Sequence, residues 1–456
     1  MDIDIREILK AVQGEALGEI RWGFSVHKVS TDTRTIEKDD VFFALKGEKF
    51  DAHDFVEEAV AKGARHCVVS KPEAVSEKSR KSVNVVCVKD TLKAYGDLAG
   101  FYRQKFNIHV IAVTGSSGKT TVKDLTAHLL SIQFKVLKNR GTENNLVGVP
   151  KTIFQLEPSH EALVLEIGTS LPGEIERLST ILAPQIGVIT QIGHSHLQGL
   201  GSIEGVRAEK LKLISGLEKG GTLILNGEDP MLNDVRCGVH RVMRFGFKKE
   251  TADWAGERIW CHEKGCSFQL NGKDLFETQL FGRHNVLNAL AAIGVASRFG
   301  IDTAALQKAL SSFKPVAGRF HLKEIDGILF VDDSYNSNPG SLRAALETLK
   351  GFKTRQRRGA VLGDMLELGE KSEELHRQMG GFLAGLLFDY VITAGPLGAH
   401  LADEAVKAGY SAEKVHSVKD SEEAGQVLKK IVLPGDMVLV KGSRGMQMEK
   451  VWLAFP

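Results

Sequence analysis

The chain lacks most of the features by which composition alone narrows function. No apolar run reaches the roughly 18–20 uninterrupted residues that a bilayer-spanning helix needs, so no membrane span is expected. Charge of one sign is not in excess: 59 Lys and Arg face 57 Asp and Glu. That balance argues against a dedicated nucleic-acid binder and a polybasic membrane anchor. Cysteine is sparse, at positions 67, 87, 237, 261 and 266. Five cysteines so spread give no disulfide framework and suggest a reducing, cytoplasmic setting. The first residues, MDIDIREILKAVQG, are charged and amphipathic, unlike a secretory leader. Prolines number only 11 against 47 glycines, and no repeat or low-complexity tract is visible. This suits an α/β enzyme with many loops. At 456 residues the chain exceeds one hydrophobic core, so two to four domains are expected.

Three α/β blocks emerge from the periodicity, at 1–106, 107–315 and 316–456. In the first, VFFAL (41–45), HCVVS (66–70) and VNVVCV (83–88) read as strands. DFVEEAVAKGA (54–64) and TLKAYGDLAGFYRQKF (91–106) read as helices. In the second, LVLEIG (163–168), IGVITQIG (186–193) and TLILNG (222–227) alternate with helical stretches, the pattern of a parallel sheet. Residues 241–281 read as a β-rich insertion, and HNVLNALAAIGVASRFG (284–300) as a helix stopped by Gly300. The third block offers five strand candidates separated by helices, a compact doubly wound, Rossmann-like domain.

The strongest chemical signal is IAVTGSSGKTT at 111–121. A strand feeds the loop Gly115-Ser116-Ser117-Gly118-Lys119-Thr120-Thr121, and a helical segment follows. Glycines let the backbone wrap a triphosphate, and successive N–H groups with the helix start form an anion nest. Lys119 is expected on the β- and γ-phosphates, with the Thr120 hydroxyl on Mg²⁺. Gly115 and Gly118 enclose only two residues, fewer than the usual G-x-x-x-x-G-K-[ST].

Polar residues at the ends of other strand candidates extend this picture. Glu166 ends the run Ala162–Leu165, where a carboxylate can hold a metal or orient water. Gly193-His194-Ser195-His196 follows another apolar run, and open α/β sheets put ligands at such strand ends. Asp332-Asp333 follows ILFV and opens the loop Ser334-Tyr335-Asn336-Ser337-Asn338-Pro339. An aspartate there suits a ribose hydroxyl, although the residue types also suit a plain turn. Cys261-His262 and Cys266 make too few clustered ligands for a zinc site. The run Arg355-Gln356-Arg357-Arg358 reads as a solvated loop.

Together these residues resemble the ATP-dependent Mur ligases of peptidoglycan synthesis, over essentially the whole chain. The shared marks are TGSSGKTT (114–121), Glu166, His196, HNVLNA (284–289), GRF (318–320) and Asp333. STDTR (30–34), DVFFALKGEKFDAHDF (40–55), TENNLVGVP (142–150), DDSYNSNPGSLRAAL (332–346), VLGDMLELG (361–369) and VKGSRGMQME (440–449) are more particular. They resemble the branch that joins D-alanyl-D-alanine to UDP-MurNAc-tripeptide. The Asp-Asn-Pro-Arg signature of the diaminopimelate-adding branch is not found.

The resemblance implies ATP and Mg²⁺ as cofactors and an acyl-phosphate route. It puts Lys119, Glu166, His196, Lys210 and Arg319 in catalysis, with Thr120, Glu166 and His196 toward metal. Asn285, Asn288, Arg319 and Asp333 would join the P-loop in holding ATP. Ser30, Thr31, Asp32 and Arg34 would lie near UDP, and Thr142, Asn144 and Asn145 near the sugar-peptide. Asn336 and Asn338 are candidates for the dipeptide. Lys210 would be carbamylated, although Lys212 stands where relatives often carry an acid. The three blocks would bind UDP-substrate, ATP and dipeptide in chain order, in a monomer that opens without nucleotide. The competing readings are a sibling ligase adding one amino acid, a non-ligase P-loop ATPase and a non-catalytic relative.

Overall fold

The computed structural model describes every residue from Met1 to Phe455 except Asp2, Ser25, Glu48, Thr142, Glu263 and 353–356. Thr142, and Arg355 and Gln356 of the basic run, therefore lie outside the described residues. Each block is built on its own sheet, with five, nine and six strands in turn.

The first sheet orders Glu15–Ala16, Asn84–Cys87, His66–Val69, Val41–Phe43 and Val29–Ser30, parallel except for the first pair. Short β-branched and aromatic runs suit central strands covered on both faces. Val41, Phe42, Phe43, Cys67, Val68 and Val69 are fully buried, each apolar side chain contributing about 1.5–3 kcal/mol. The expected helix 54–64 is a 3₁₀ turn Ala52–Phe55 leading into Val56–Ala61. The helix Thr91–Gln104, capped by Asp90, packs on helix Glu174–Leu182 of the second block. Tyr102 donates to the Leu156 carbonyl at 2.9 Å, and Arg177 pairs with Asp97 at 2.6 Å. The first block is thereby keyed to the second.

The second sheet is parallel from Val136–Lys138 through Ala162–Glu166, His109–Thr114, Ile186–Ile189 and Thr222–Asn226 to Arg241–Gly246. Residues 241–246 therefore extend the parallel sheet and are not part of a separate insertion. Only Trp254–His262, Gly265–Leu270 and Asp274–Thr278 form the antiparallel ribbon. At its tip Cys261 and Cys266 lie opposite one another and form a disulfide, with Cα atoms 4.0 Å apart. The sequence reading, which expects no disulfide framework, does not single out this pair. Residues five apart meet only because the hairpin register brings them together.

The third sheet orders His321–Ile325, Ile328–Asp333, Met437–Lys441, Arg358–Gly363, Tyr390–Ala394 and Val415–Val418. All its pairs are parallel except the opening hairpin, which turns at Asp326 (φ 51°) and Gly327 (φ 71°). The last strand of the block, Met437–Lys441, inserts between Ile328–Asp333 and Arg358–Gly363. Phe281 of the second block packs at a tilt against Phe320 and Phe352 of the third, at 5.8 and 5.3 Å between ring centroids. The carboxyl ends of the second and third sheets consequently face one cleft.

Candidate active site

The P-loop leaves the strand His109–Thr114 and opens the helix Lys119–Leu130, with Gly118 as N-cap at φ 82°. Both loop glycines are required by close approach. A β-carbon at Gly115 would lie 1.9 Å from Thr190 Oγ1, and one at Gly118 would lie 2.4 Å from Asn288 Oδ1. Ser116 is tied to the histidine loop: its N–H donates to the Gln191 carbonyl at 2.7 Å. Its hydroxyl donates to the Gly193 carbonyl and accepts from Ser195. A preformed loop offers its N–H groups to an anion without further ordering.

Three chemically active residues converge beside the loop. Glu166, 2 % exposed at the end of its strand, accepts from Thr120 Oγ1 at 2.6 Å and from Asn144 Nδ2 at 2.7 Å. Arg319, from the third block, donates to Thr120 Oγ1 at 2.7 Å and lies over the Tyr335 ring at 4.2 Å. Burial lowers the Lys119 ammonium below its usual range, opposed by Glu166 and Glu367 and reinforced by Arg319. Hard oxygen donors on Thr120 and Glu166, side by side at the anion nest, fit Mg²⁺.

His196 caps a short helix, Leu197–Leu200, in the left-handed backbone region (φ 54°). Its Nδ1 stands 2.7 Å from Glu367 Oε2 of the third block, off the axis of a ring N–H. Contact with His196, then the field of Lys119, holds the Glu367 carboxyl below its usual range. Lys210 is 1 % exposed, and none of the described residues hydrogen-bonds its Nζ. Burial, and secondarily Lys119, lowers its ammonium far below the usual range, against the pull of Glu209 and Glu166.

A cavity of about 260 Å³ is lined by Lys119, Glu166, His196, Asn285, Arg319 and Asp333 among others, whereas Lys210 and Glu367 do not border it. Asn285 donates to the Phe281 carbonyl at 2.9 Å and accepts from Asn288 at 2.8 Å, a buried amide ladder under Gly118. Asp333 accepts from the Phe320 N–H at 3.1 Å and from Lys441 at 2.6 Å. Asn338 caps the helix Pro339–Gly351 and donates to the Ser116 carbonyl at 3.3 Å. Asn336 accepts from the Ser337 N–H at 2.8 Å and also borders the cavity. Asn145 Oδ1 accepts from the N–H groups of Val147 and Gly148, at 3.1 and 2.8 Å, where the helix Gly148–Ile153 begins. Ser30, Thr31, Asp32 and Arg34 form a capped turn on the first sheet and do not border the cavity.

A P-loop, a strand-end glutamate and a loop histidine met by an arginine and an aspartate from a following α/β block form a recognisable arrangement. Three family models match in series: the Mur ligase family, catalytic domain over 25–103, the middle domain over 113–296, and the glutamate ligase domain over 318–444. A Bacillus subtilis UDP-N-acetylmuramoyl-tripeptide–D-alanyl-D-alanine ligase is 36 % identical over 98 % of this chain and 97 % of its own. The chain belongs to the Mur ligase family.

The Escherichia coli ligase of the same name is 34 % identical, over 99 % of this Mur ligase and 98 % of that protein. A crystal structure of MurF from Acinetobacter baumannii superposes with a TM-score of 0.90 at 32 % identity, covering 99 % and 98 % of the two chains. MurF from Thermotoga maritima in complex with ADP gives 0.83 at 29 %, covering 94 % and 96 %. The three-block α/β architecture of the Mur ligases is thus present throughout.

Several residues of this site are not singled out by sequence reasoning. Lys441 sits inside the quoted stretch VKGSRGMQME, yet nothing local marks it as the partner of Asp333. Tyr335 reads as a turn residue until Arg319 is seen over its ring. Asn139 escapes notice, although its Oδ1 accepts from the Glu166 N–H at 3.0 Å and so holds that strand end.

Proposed function

We propose that this protein joins D-alanyl-D-alanine to UDP-MurNAc-tripeptide, with ATP converted to ADP and phosphate. The observation that carries this reading is the convergence of Thr120, Glu166 and Arg319 from two blocks at one anion nest. The terminal carboxylate of the tripeptide attacks the γ-phosphorus of ATP, forming an acyl phosphate and releasing ADP. The amine of the dipeptide then adds to the acyl carbon. Collapse of that tetrahedral intermediate expels phosphate, and the amine loses its proton. Catalysis here is positioning and charge neutralisation. Lys119 and the loop N–H groups hold the phosphates, and Arg319 offsets charge that develops on the transferred group. When bound, Mg²⁺ on Thr120, Glu166 and His196 supplies further charge neutralisation.

The first block (1–106) would take the UDP end through Ser30, Thr31, Asp32 and Arg34, with Asn144 and Asn145 toward the sugar-peptide. The second (107–315) takes ATP through the P-loop, Asn285 and Asn288, joined by Arg319 and Asp333 of the third (316–456), which takes the dipeptide beside Asn336 and Asn338. The work is cytoplasmic precursor synthesis for peptidoglycan, and hence for cell shape and division, done by a monomer. No helix among the described residues is long and apolar enough to cross a membrane.

Lys210 fits a carbamylated lysine. Its burial favours the neutral amine, which adds to carbon dioxide to give a carbamate and a proton. Carbon-13 NMR after exposure to labelled bicarbonate is expected to show one carbamate signal that Lys210→Ala abolishes. An unmodified Lys210 in the ATP-bound enzyme overturns this.

The deciding experiment for the activity is a substrate-swap assay. Phosphate release is expected only with UDP-MurNAc-tripeptide and D-alanyl-D-alanine together. Release with a single amino acid favours a sibling ligase, and release without an acceptor favours an ordinary ATPase.

A further inference from the structure

Glu367 belongs to the third block, in the loop after the strand Arg358–Gly363, and the chemistry above assigns it no role. Its carboxylate lies 2.7 Å from His196 Nδ1 across the seam between blocks. That nitrogen is buried and has no well-aligned hydrogen-bond partner among the described residues. The backbones meet at the same place. The Gln198 N–H donates to the Glu367 carbonyl at 3.2 Å, and a β-carbon on Gly369 would lie 3.4 Å from the Gln198 backbone. His196 and Glu367 both adopt left-handed backbones, at φ 54° and 64°, uncommon for residues other than glycine. Strain of this kind persists where the surroundings hold it and clusters at working sites.

We propose that Glu367 is a positioning residue for the ligase reaction: on closure of the third block its carboxylate takes the Nδ1–H of His196, which turns Nε2 toward the phosphate cavity. The assignment rests on the reading of that cavity as the ligase site. A neutral imidazole carries one N–H, and the hydrogen bond at one nitrogen decides the chemistry left to the other. A carboxylate that takes the Nδ1–H leaves the Nε2 lone pair free. The pair itself is worth little as a stabilising contact, because the Glu367 side chain is 56 % exposed. Its consequence is conditional competence. His196 is oriented only while the third block, with Arg319 and Asp333, is in place.

The test uses the full-length enzyme with Glu367→Gly and Glu367→Gln. Glycine suits the left-handed backbone, so its effect does not report strain. Glutamine keeps the length and an accepting oxygen. Glu367→Gly is expected to lower kcat about 10–100-fold, Glu367→Gln less, with the KM for UDP-MurNAc-tripeptide unchanged in both. Nitrogen-15 NMR of histidine-labelled enzyme is expected to show His196 protonated at Nδ1 in the wild type. In Glu367→Gly the ring signal should move toward a tautomer mixture. An unchanged kcat, or a lowered kcat with an unchanged ring signal, overturns the proposal. A wild-type enzyme that forms no amide from the two substrates overturns the ligase reading instead, while the ring signal still decides whether Glu367 sets the tautomer.

Discussion

Arg319 shows how much depends on the shape of one side chain. Its guanidinium bonds Thr120 and stacks on Tyr335 at once, which a compact ammonium cannot do. Arg319→Lys is expected to lower kcat/KM for ATP about tenfold or more, the loss typical of a charged hydrogen-bond partner. Steady-state kinetics beside an unchanged circular dichroism spectrum would check this. His284, at the start of the helix Arg283–Ser297, makes a different prediction. Burial pushes its pKa from 6.5 down to about 4, with Asp333 opposing and Lys441 adding to the shift. Between those values the unfolded chain binds a proton that the folded chain refuses. Stability from this group is therefore complete above about 6.5 and is lost as pH falls toward about 4. Thermal unfolding across that window should fall less steeply in His284→Asn than in the wild type, and equal slopes would refute the assignment.

At the scale of elements, the helix Pro339–Gly351 joins stability to the site. Asn338 caps it in a reciprocal box with Ser341, and the same side chain reaches the P-loop carbonyl of Ser116. Asn338→Ala should cost about 1 kcal/mol of stability, the usual value of a cap, and raise the KM for ATP. Asn338→Asp keeps the cap but loses the amide donor. It should restore the melting temperature and leave the KM raised. The helices, their caps and the P-loop unit are legible because they are written in neighbouring residues. Asp90 before Thr91–Gln104 and Asn338-Pro339 before their helix are local signals. The disulfide was not legible, because Cys261 and Cys266 meet only through the register of a hairpin.

At the scale of the molecule, polar side-chain contacts that hold the third block against the second include Arg319 with Thr120, Asn338 with Ser116, and Glu367 with His196. These contacts bring residues of both blocks to the site they share. Gly318 at φ 76° and Phe320 at φ 53° flank Arg319 with two left-handed residues near the start of the third block. Small-angle scattering should show a smaller radius of gyration with an ATP analogue and UDP-MurNAc-tripeptide than for the protein by itself. Identical profiles would count against opening. A variant carrying Arg319→Ala and Asn338→Ala together should require more ATP analogue to reach the compact state.

Local pattern determined a good part of this protein. Ile111–Thr121 specifies a strand, a phosphate loop and a helix, because glycine freedom, β-branching and helix capping act within a few residues. Glu166 and Asp333 could be singled out because each ends an apolar run, and strand ends are where parallel sheets present ligands. What only the tertiary structure decided is which of these residues touch. Asp333 meets Lys441 because the last strand inserts beside Ile328–Asp333 in the register Asp333↔Lys441. Parallel neighbours are joined by long crossovers, so no spacing along the chain encodes that pairing. Glu367 reaches His196, and Arg319 reaches Thr120, for the same reason: packing between blocks brings together groups that local sequence leaves far apart.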